Sequence, residues 1–450
     1  MAPPERTLIR NGTVLPMEGR RTFHDPGSVL IEGAEIAAIG PVDLIDRDPR
    51  ADGATVVDAT DHAVVPGFHN CHLHSGLLRG TAESLSLWDW LKTYVDPAHR
   101  ALTPEIARAA SDQCYAESLL AGTVSVLDMW RFMEGSAEVA AALGLRATLA
   151  PYVADEDGYD YFESLESNRR VLESHHLSAD GRVRVWVGLE HLLYCTPRAF
   201  RAAAAMAEEF DTGIHTHSSE TIWEVQESLH RWGRRPIEVM EQRGILSDRT
   251  VIAHCVWLDD REIELLAATS TAVSHCPCSN MKLASGPARI GAMRDAGVTV
   301  GLGSDGEKEN NNLDLLEEMK FASLLMKVST LDPTVGDPWD ILAMATIDGA
   351  RALALDSVSG SLEVGKRADI VMVDLRGLHT TPRHRGPDFN IPAHLVFSAT
   401  GHDVRDVWVD GARVVHDRSL QRGDEGVIRA RAQAAAEELF DRRARLSPQR

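Results

Sequence analysis

The pattern of apolar and polar positions divides the chain into two kinds of segment. Near both ends, short apolar runs alternate with glycine-containing turns such as Asn11-Gly12 and Asp410-Gly411, which is typical of short strands. These runs are Thr7 to Ile9, Ser28 to Ile31, Ile36 to Ile39, Thr55 to Asp58, Asp369 to Asp374, Val404 to Val409 and Arg413 to His416. Because such strands cannot bury a face alone, we expect residues 1–62 and 355–420 to form one small β-sandwich domain.

The middle of the chain alternates between apolar runs and helical segments. The candidate strands are Ala63 to Pro66, Thr123 to Asp128, Arg146 to Ala150, Val183 to Leu189, Gly213 to His215, Thr250 to Ala253, Thr271 to Ser274 and Val298 to Leu302. Most are continuously apolar, as strands buried on both faces are. The clearest helix begins after Thr103, with Pro104 in its first position, and stops at Gly122.

Parallel strands with intervening helices predict the α/β class, and eight of them predict a (β/α)8 TIM barrel over residues 63–354. A doubly wound parallel sheet is the alternative. Residues 421–450 are rich in alanine and arginine, and we expect a C-terminal helix and tail there.

Composition and charge restrict the partners. Asp and Glu number 67 against 46 Lys and Arg, so the formal charge is -21. A chain this acidic repels phosphate backbones and anionic lipid, and we expect neither a nucleic-acid nor a membrane partner. The start, Met-Ala-Pro-Pro-Glu-Arg, lacks an apolar signal segment, which predicts a cytoplasmic protein.

Since the six cysteines are scattered, we expect reduced thiols.

Reactive side chains follow several predicted strands, at the ends where barrels build active sites. His72 and His74 are two residues apart, so an extended backbone points both imidazoles the same way, as two ligands of one metal require. Further clusters at strand ends are His215-Thr216-His217-Ser218-Ser219-Glu220, Ala253-His254-Cys255 and Gly301-Leu302-Gly303-Ser304-Asp305-Gly306. One H-x-H pair is weak evidence, and core histidines are the alternative. Clusters at four strand ends of one barrel favour a metal centre.

These clusters resemble the amidohydrolase superfamily, and within it the deaminase and s-triazine hydrolase group. That group includes cytosine deaminase, guanine deaminase, S-adenosylhomocysteine deaminase and atrazine chlorohydrolase. The resemblance covers nearly the whole chain through the motifs PGFHNCHLH (66–74), LLRG (77–80), HTHSSE (215–220), AHC (253–255), SHCPCSNMKLASG (274–286), GLGSDG (301–306), ATIDGARAL (345–353) and GSLEVGKRADIVMVDL (360–375). It implies a hydrolase that acts on carbon–nitrogen bonds other than peptide bonds.

The resemblance also implies site residues. Four of them are ligands of a divalent metal ion: His72, His74, His217 and Asp305. Glu220 corresponds to the carboxylate that shuttles protons, and His254 to the histidine that orients the water or polarises the reacting group. Such an ion lowers the pKa of bound water, Asp305 can accept its proton, and Glu220 can protonate a ring nitrogen and then the leaving group. His215 is expected behind the ligands or in the core.

The predicted fourth strand bears on the number of metal ions. Relatives with two ions bridge them by a carboxylated lysine, typically on strand four. Here Val183 to Leu189 is followed by Glu190-His191 and contains no lysine. This favours a single ion, with zinc as the first choice and iron(II) as the second, because three histidines and an aspartate suit either metal.

Four positions are expected to contact the substrate. His191 matches a histidine that lines the pocket in relatives, with a buried structural role as the alternative. His99 stands where S-adenosylhomocysteine deaminases have a ribose-binding glutamate, which argues against a nucleoside. Glu309 replaces a small serine and favours a positive or N–H-rich substrate edge, unless it is a solvated loop charge. Trp88 is expected to stack on a flat ring, with ordinary packing as the alternative.

The leading hypothesis is a metal-dependent hydrolase that deaminates an amino-substituted nitrogen heterocycle or a cyclic amidine or guanidine. Within the same fold, the alternative is removal of chloride or an alkylamine from an s-triazine ring. The alternative from another class is a non-catalytic scaffold or binding protein. The partner is therefore expected to be a small heterocyclic substrate, and the resemblance adds a homo-oligomer.

Overall fold

The computed structural model describes residues 5–19, 21–81, 83–159 and 161–446, and their strands form three sheets. The first strands are β1 (Arg6–Val14), β2 (His24–Glu32), β3 (Glu35–Pro41), β4 (Thr55–Asp58) and β5 (His62–Pro66). The central strands are β6 (Phe68–Leu73), β7 (Thr123–Trp130), β8 (Arg146–Pro151), β9 (Val183–Val185), β10 (Val187–His191), β11 (Ile214–Ser218), β12 (Thr250–His254), β13 (Ala272–His275) and β14 (Val300–Leu302). The last strands are β15 (Ile370–Asp374), β16 (Val404–Val409), β17 (Ala412–His416) and β18 (Ser419–Leu420).

Helices occupy most of the connections between the central strands. The first half of the chain contains α1 (Val42–Ile45), α2 (Leu87–Trp90), α3 (Asp96–Ala101), α4 (Pro104–Leu120), α5 (Met133–Leu143), α6 (Leu165–His175), α7 (Pro197–Glu209) and α8 (Ile222–Trp232). The second half contains α9 (Pro236–Arg243), α10 (Asp260–Ala268), α11 (Pro277–Lys282), α12 (Ile290–Asp295), α13 (Glu307–Asn310), α14 (Leu315–Thr330), α15 (Pro338–Ala345), α16 (Ile347–Ala352), α17 (Ile391–Phe397) and α18 (Glu425–Leu446). A π-turn, Leu91–Val95, joins α2 to α3.

The central strands are parallel and form two sheets, in the orders β6-β7-β8-β9 and β10-β11-β12-β13-β14. The predicted strand 183–189 is interrupted at Trp186, so that β9 pairs with β8 and β10 pairs with β11. Every residue of β7 and β8 is buried, as parallel strands covered by helices require. This α/β arrangement brings the carboxyl ends of the strands together.

The start of the central region differs from the prediction. Ala63 to Pro66 was expected to be the first barrel strand, but β5 pairs with β1 and β15 in the sheet of the chain ends. The first central strand is β6, which Gly67 alone separates from β5. The apolar run is continuous from one strand to the next, so the pattern hides the break at Gly67, where a β-carbon would collide with Val124.

The strands of both chain ends lie in one hydrogen-bonded sheet of order β18-β17-β16-β15-β5-β1-β2-β3, with β4 paired to β1. Side chains from the two ends share a buried cluster, to which Ile9 and Ile31 contribute from the start and Ile370 and Trp408 from the end. The prediction was a sandwich, whereas the hydrogen bonds form a single sheet in which the two ends combine.

Two predicted helices are present. Helix α4 begins at Pro104, and the Thr103 hydroxyl accepts a hydrogen bond from the Ile106 amide at 3.3 Å. Helix α18 covers most of the predicted C-terminal helix, and residues 447–450 lie outside the described residues. None of the helices in the described part of the chain has the length and apolar character that a membrane span needs.

A buried ion pair connects the central strands to the sheet of the chain ends. The Arg146 guanidinium, at the start of β8, donates to both carboxylate oxygens of Asp369 at 2.7 and 3.1 Å, and it also pairs with Asp410. We expect Asp369→Asn to lower the free energy of unfolding by about 3 kcal/mol, because the Arg146 charge stays buried with one partner fewer. Urea unfolding would measure the loss.

The control for this change is Asp295→Asn, because Asp295 is an exposed residue at the end of α12. The control is expected to unfold at the wild-type urea concentration. An unchanged midpoint for Asp369→Asn would show that the ion pair does not hold the two parts together.

All six cysteines are free and buried, in agreement with reduced thiols. Burial also raises the pKa of the thiols, for example those of Cys71 and Cys255. We therefore expect no rapid reaction of the native protein with a disulfide thiol reagent and reaction of six thiols after denaturation. Absorbance of the released thiolate would count them, and a fast native reaction would contradict the burial.

Candidate active site

The four predicted metal ligands converge at the carboxyl ends of three strands. His72 and His74 lie at the end of β6, His217 lies on β11, and Asp305 follows β14. The Nε2 atoms of His74 and His217 are 3.1 Å apart. Asp305 Oδ1 lies 3.3 Å from His72 Nε2 and 3.6 Å from His74 Nε2. Side chains that are far apart in sequence therefore meet in one buried cluster.

The cluster fits a divalent metal ion. Two groups have potential ligand atoms within 4.8 Å of one another: His72, His74 and His217, and His72, His254 and Asp305. Ligands about 2.0–2.2 Å from a tetrahedral ion lie roughly 3–3.5 Å apart, close to the spacings seen here. In addition, His72 Nε2 is buried and has no hydrogen-bond partner among the described residues. An ion would supply the missing partner.

Hydrogen bonds at Nδ1 fix the orientation of the three imidazoles and leave each Nε2 facing the cluster. His74 Nδ1 donates to the Met129 carbonyl at 2.7 Å, and His217 Nδ1 donates to the Glu190 carbonyl at 2.5 Å. His72 Nδ1 contacts His215 Nε2 at 2.8 Å. His215 therefore lies behind His72, as expected.

Asp305 is held as a carboxylate. Its Oδ2 accepts from the Ser279 hydroxyl at 2.7 Å and its Oδ1 accepts from the Gly306 amide at 2.8 Å. Burial opposes ionisation, but the contact with His72 outweighs it and keeps the pKa of Asp305 well below its usual value. The charge suits a metal ligand.

Glu220 and His254 face each other beside the ligand cluster. Glu220 Oε2 lies 3.8 Å from His254 Nε2, and Glu220 Oε1 accepts from the Ser285 hydroxyl at 2.9 Å. Burial raises the pKa of Glu220, which favours a carboxyl group that can hold a proton. His254 Nδ1 donates to the Asn280 side chain at 3.0 Å, and this directs Nε2 towards Glu220 and Asp305.

The backbone is left-handed at several of these strand ends. Ser219, His254 and Asp305 have φ values of 55°, 71° and 59°, which non-glycine residues rarely adopt. Such conformations cost free energy and persist where surrounding structure holds them, often at functional sites. Here they turn the chain directly after β11, β12 and β14.

Residues 63–414 match the family described as the amidohydrolase family. The chain belongs to the amidohydrolase family. A curated relative is the 5'-deoxyadenosine deaminase of Methanothermobacter thermautotrophicus, which is 40% identical over 97% of this chain and 99% of its own length.

Two solved structures are similar over the whole fold. An adenosine deaminase from Xanthomonas campestris with bound zinc has a TM-score of 0.91 and 31% identity, and the match covers 98% of this chain and 100% of that one. The zinc complex of atrazine chlorohydrolase from Arthrobacter aurescens has a TM-score of 0.87 and 25% identity, with coverage of 96% and 100%. These findings confirm a TIM-barrel-type α/β fold and a hydrolase of the deaminase class.

A cavity in this amidohydrolase extends outward from the predicted metal ligands. Three of the predicted substrate contacts, Trp88, His191 and Glu309, line it. His99 is not among the lining residues in the described part of the chain. Its buried ring packs 5.3 Å from Trp130 and 5.4 Å from Tyr152. Trp88 and Tyr194 also border an outer groove of about 830 Å³.

Glu224 is an amidohydrolase site residue that the sequence analysis missed. Its carboxylate accepts from the Ser219 and Glu220 amides at 2.7 and 2.9 Å, and its Oε1 lies 3.2 Å from His191 Nε2. Burial raises its pKa, but His191 outweighs this effect and the net pKa is lowered. The sequence signal was misleading, because Glu224 follows Thr221 at the spacing of an ordinary helix cap.

Tyr152, Glu190 and Lys308 were also missed. Tyr152 directly follows β8, Glu190 lies near the end of β10, and both line the cavity. Burial raises the pKa of Glu190 to about 8. Their positions at strand ends were the available signal, since the same rule led to the predicted metal ligands. Lys308 gave no such signal, because lysine next to two glutamates is typical of a solvated turn.

Proposed function

We propose that this amidohydrolase deaminates an adenine nucleoside by metal-dependent hydrolysis. The observation that carries the proposal is a likeness over almost the full length to a 5'-deoxyadenosine deaminase. His99 stands where S-adenosylhomocysteine deaminases have a ribose-binding glutamate. Its ring packs against Trp130 and Tyr152 and is not among the described residues that line the cavity, so its identity does not exclude a nucleoside.

In this proposal His72, His74, His217 and Asp305 hold one divalent ion, with zinc favoured over iron(II). The ion supplies a water molecule of lowered pKa. The contacts of the side chains support the ligand set, and the zinc-bound adenosine deaminase structure supports the choice of metal.

Glu220 and His254 carry the proton chemistry. The reaction forms a bond from the water oxygen to the ring carbon and breaks the bond from that carbon to the amino group, with ammonia as the product. Glu220, whose pKa is raised by burial, holds a proton for the ring nitrogen and then for the departing amine. His254 Nε2 lies between Glu220 and Asp305, at 3.8 and 3.9 Å, and orients the reacting oxygen.

The experiment is ammonia release by the zinc-loaded protein, with 5'-deoxyadenosine, adenosine, S-adenosylhomocysteine, guanine and atrazine as the compounds. We expect ammonia from at least one adenine nucleoside and none with Glu220→Gln. Chloride or alkylamine from atrazine, without ammonia from nucleosides, would favour the s-triazine alternative instead. A wild-type protein that neither binds zinc nor turns over any compound would fit the scaffold alternative.

The architecture in this proposal is a closed (β/α)8 barrel that begins at β6, beside the sheet formed by the two chain ends. Closure is supported by the Asp305 amide, which donates to the His72 carbonyl at 3.0 Å and so connects the two parallel sheets near the ends of β6 and β14. The cluster of buried side chains from both chain ends supports a single small domain there.

A homo-oligomer and a cytoplasmic location complete the proposal. The family resemblance supports the first, and the composition with its net charge of -21 supports the second. Light scattering of the purified protein would give the oligomer order, and fractionation of the source cells would give the location.

A further inference from the structure

Three consecutive charged side chains are buried directly after the metal ligand Asp305. Glu307, Lys308 and Glu309, on the single turn α13, are exposed by only 1, 4 and 5%. Burial of a charged group is costly unless that group is paired and hydrogen-bonded. Each of the three therefore needs a partner.

Each of these groups has one partner within the protein. Glu307 Oε1 accepts from the Leu78 amide at 2.9 Å. The Lys308 ammonium donates to Glu309 Oε1, also at 2.9 Å. The Oε2 atoms of Glu307 and Glu309 are both buried without a hydrogen-bond partner among the described residues, and of the two carboxylates Glu309 is the one that lines the cavity. Because Glu309 lines the cavity, an unfilled acceptor lies on its wall.

Gly306 sets the position of the Glu309 carboxylate. A β-carbon at position 306 would collide with Glu309 Oε2 and would lie 3.0 Å from both Lys308 Nζ and His74 Cβ. The carboxylate therefore folds over the glycine, with Lys308 on one side and the metal ligand His74 on the other. It is held on the wall of the same cavity that His74 and Asp305 line.

We propose that Glu309 is a specificity-determining residue whose free oxygen accepts a hydrogen bond from a donor group of the substrate. Lys308 is the positioning residue that holds the carboxylate. The donor is a sugar hydroxyl, because the ring nitrogens of a neutral adenine nucleoside carry no hydrogen. This inference rests on the proposed deamination and deepens it by naming a requirement for the substrate.

The charges around Glu309 act in opposite directions. Burial raises the pKa of Glu309 to about 8, which favours the neutral carboxyl, whereas Lys308 favours the ionised form that accepts hydrogen bonds. A donor from the substrate stabilises the ionised form further. A substrate that lacks the donor leaves the acceptor unpaired, so we expect discrimination of about 10- to 100-fold in kcat/KM.

The test combines variants with matched substrate pairs. Adenosine is compared with 2'-deoxyadenosine and with 3'-deoxyadenosine, each of which lacks one hydroxyl donor. In wild type, loss of the recognised donor should lower kcat/KM by about 10- to 100-fold. Glu309→Gln should remove this discrimination. In this variant Lys308 donates to the amide oxygen, so the amide N–H faces the substrate hydroxyl and cannot accept a hydrogen bond from it. The change should appear in KM, with kcat and zinc content retained.

Glu309→Ser is the second variant, in case the amide disturbs packing, and it should lose the same discrimination. Glu264→Gln is the matched control, since Glu264 is exposed on α10. Glu190→Gln tests the other unfilled carboxylate oxygen on the cavity wall. Three results would overturn the role of Glu309. Glu309→Gln could lower kcat/KM equally for both members of every pair, or it could lose zinc. The third result is that discrimination is lost in Glu190→Gln but kept in Glu309→Gln. No ammonia from any adenine compound with wild type would overturn the proposed function itself.

Discussion

Replacement of Glu220 by glutamine is expected to lower kcat by about 10²- to 10⁴-fold while the metal stays bound. The carboxyl group is buried, accepts from Ser285 and faces His254, but it does not belong to the ligand groups of the metal cluster. Glutamine has the same size and can still accept from Ser285. The change therefore removes a proton carrier and leaves the packing in place.

Single-turnover ammonia release, together with zinc analysis by atomic emission, would measure this result. The control is Glu241→Gln, an exposed glutamate on α9, which should retain wild-type kcat. Turnover near the wild-type value with Glu220→Gln would refute the assignment of the proton carrier. Loss of zinc in this variant would instead place Glu220 among the ligands.

Replacement of Asp305 by alanine is expected to abolish both activity and metal binding. Asp305 supplies the carboxylate of the cluster, 3.3 and 3.6 Å from the Nε2 atoms of His72 and His74. Changes to groups that only support metal ligands typically cost about 10- to 100-fold in metal affinity, and loss of a ligand should cost more. The same change also removes the negative charge next to His254.

Equilibrium dialysis against zinc, followed by the ammonia assay, would test the prediction for Asp305. Asp295→Ala is the matched control, because Asp295 is exposed and lies on the preceding helix, α12. Full zinc occupancy in Asp305→Ala would show that the histidines alone hold the ion. Zinc content therefore distinguishes the two variants, because Glu220→Gln is expected to keep the metal and Asp305→Ala is expected to lose it.

The two variants do not distinguish between the candidate substrates. Deaminases and s-triazine hydrolases in this family share the fold, and both are similar to this chain in structure. A metal centre with an adjacent proton carrier serves either leaving group. The variants of Glu309, which lines the cavity, are the ones that test substrate recognition.

Much of the site was predictable from local sequence. The alternation of side chains along a strand places His72 and His74 on the same side. The carboxyl ends of parallel strands lie at one edge of an α/β fold, so His217, His254 and Asp305 are expected near these two histidines. The helix after Thr103 was equally predictable, because its capping group and its proline act within one turn. These features depend on neighbours in the sequence.

Other features were decided only by the tertiary structure. The apolar run from β5 into β6 reads as one strand, but β5 pairs with β15 and β6 pairs with β7, so that the run is divided between two sheets at Gly67. His99 looked like a substrate contact, but its ring lies in an aromatic cluster contributed by distant strands.

The pairing of charges was also decided only by the tertiary structure. Glu224 and Lys308 resemble a helix cap and a surface charge in sequence, and they become site residues because His191 and Glu309 lie against them in the fold. Local pattern determined which residues could do chemistry in this protein. Burial, which removes water and leaves each charge to its spatial neighbours, decided which of them lie together at the cavity.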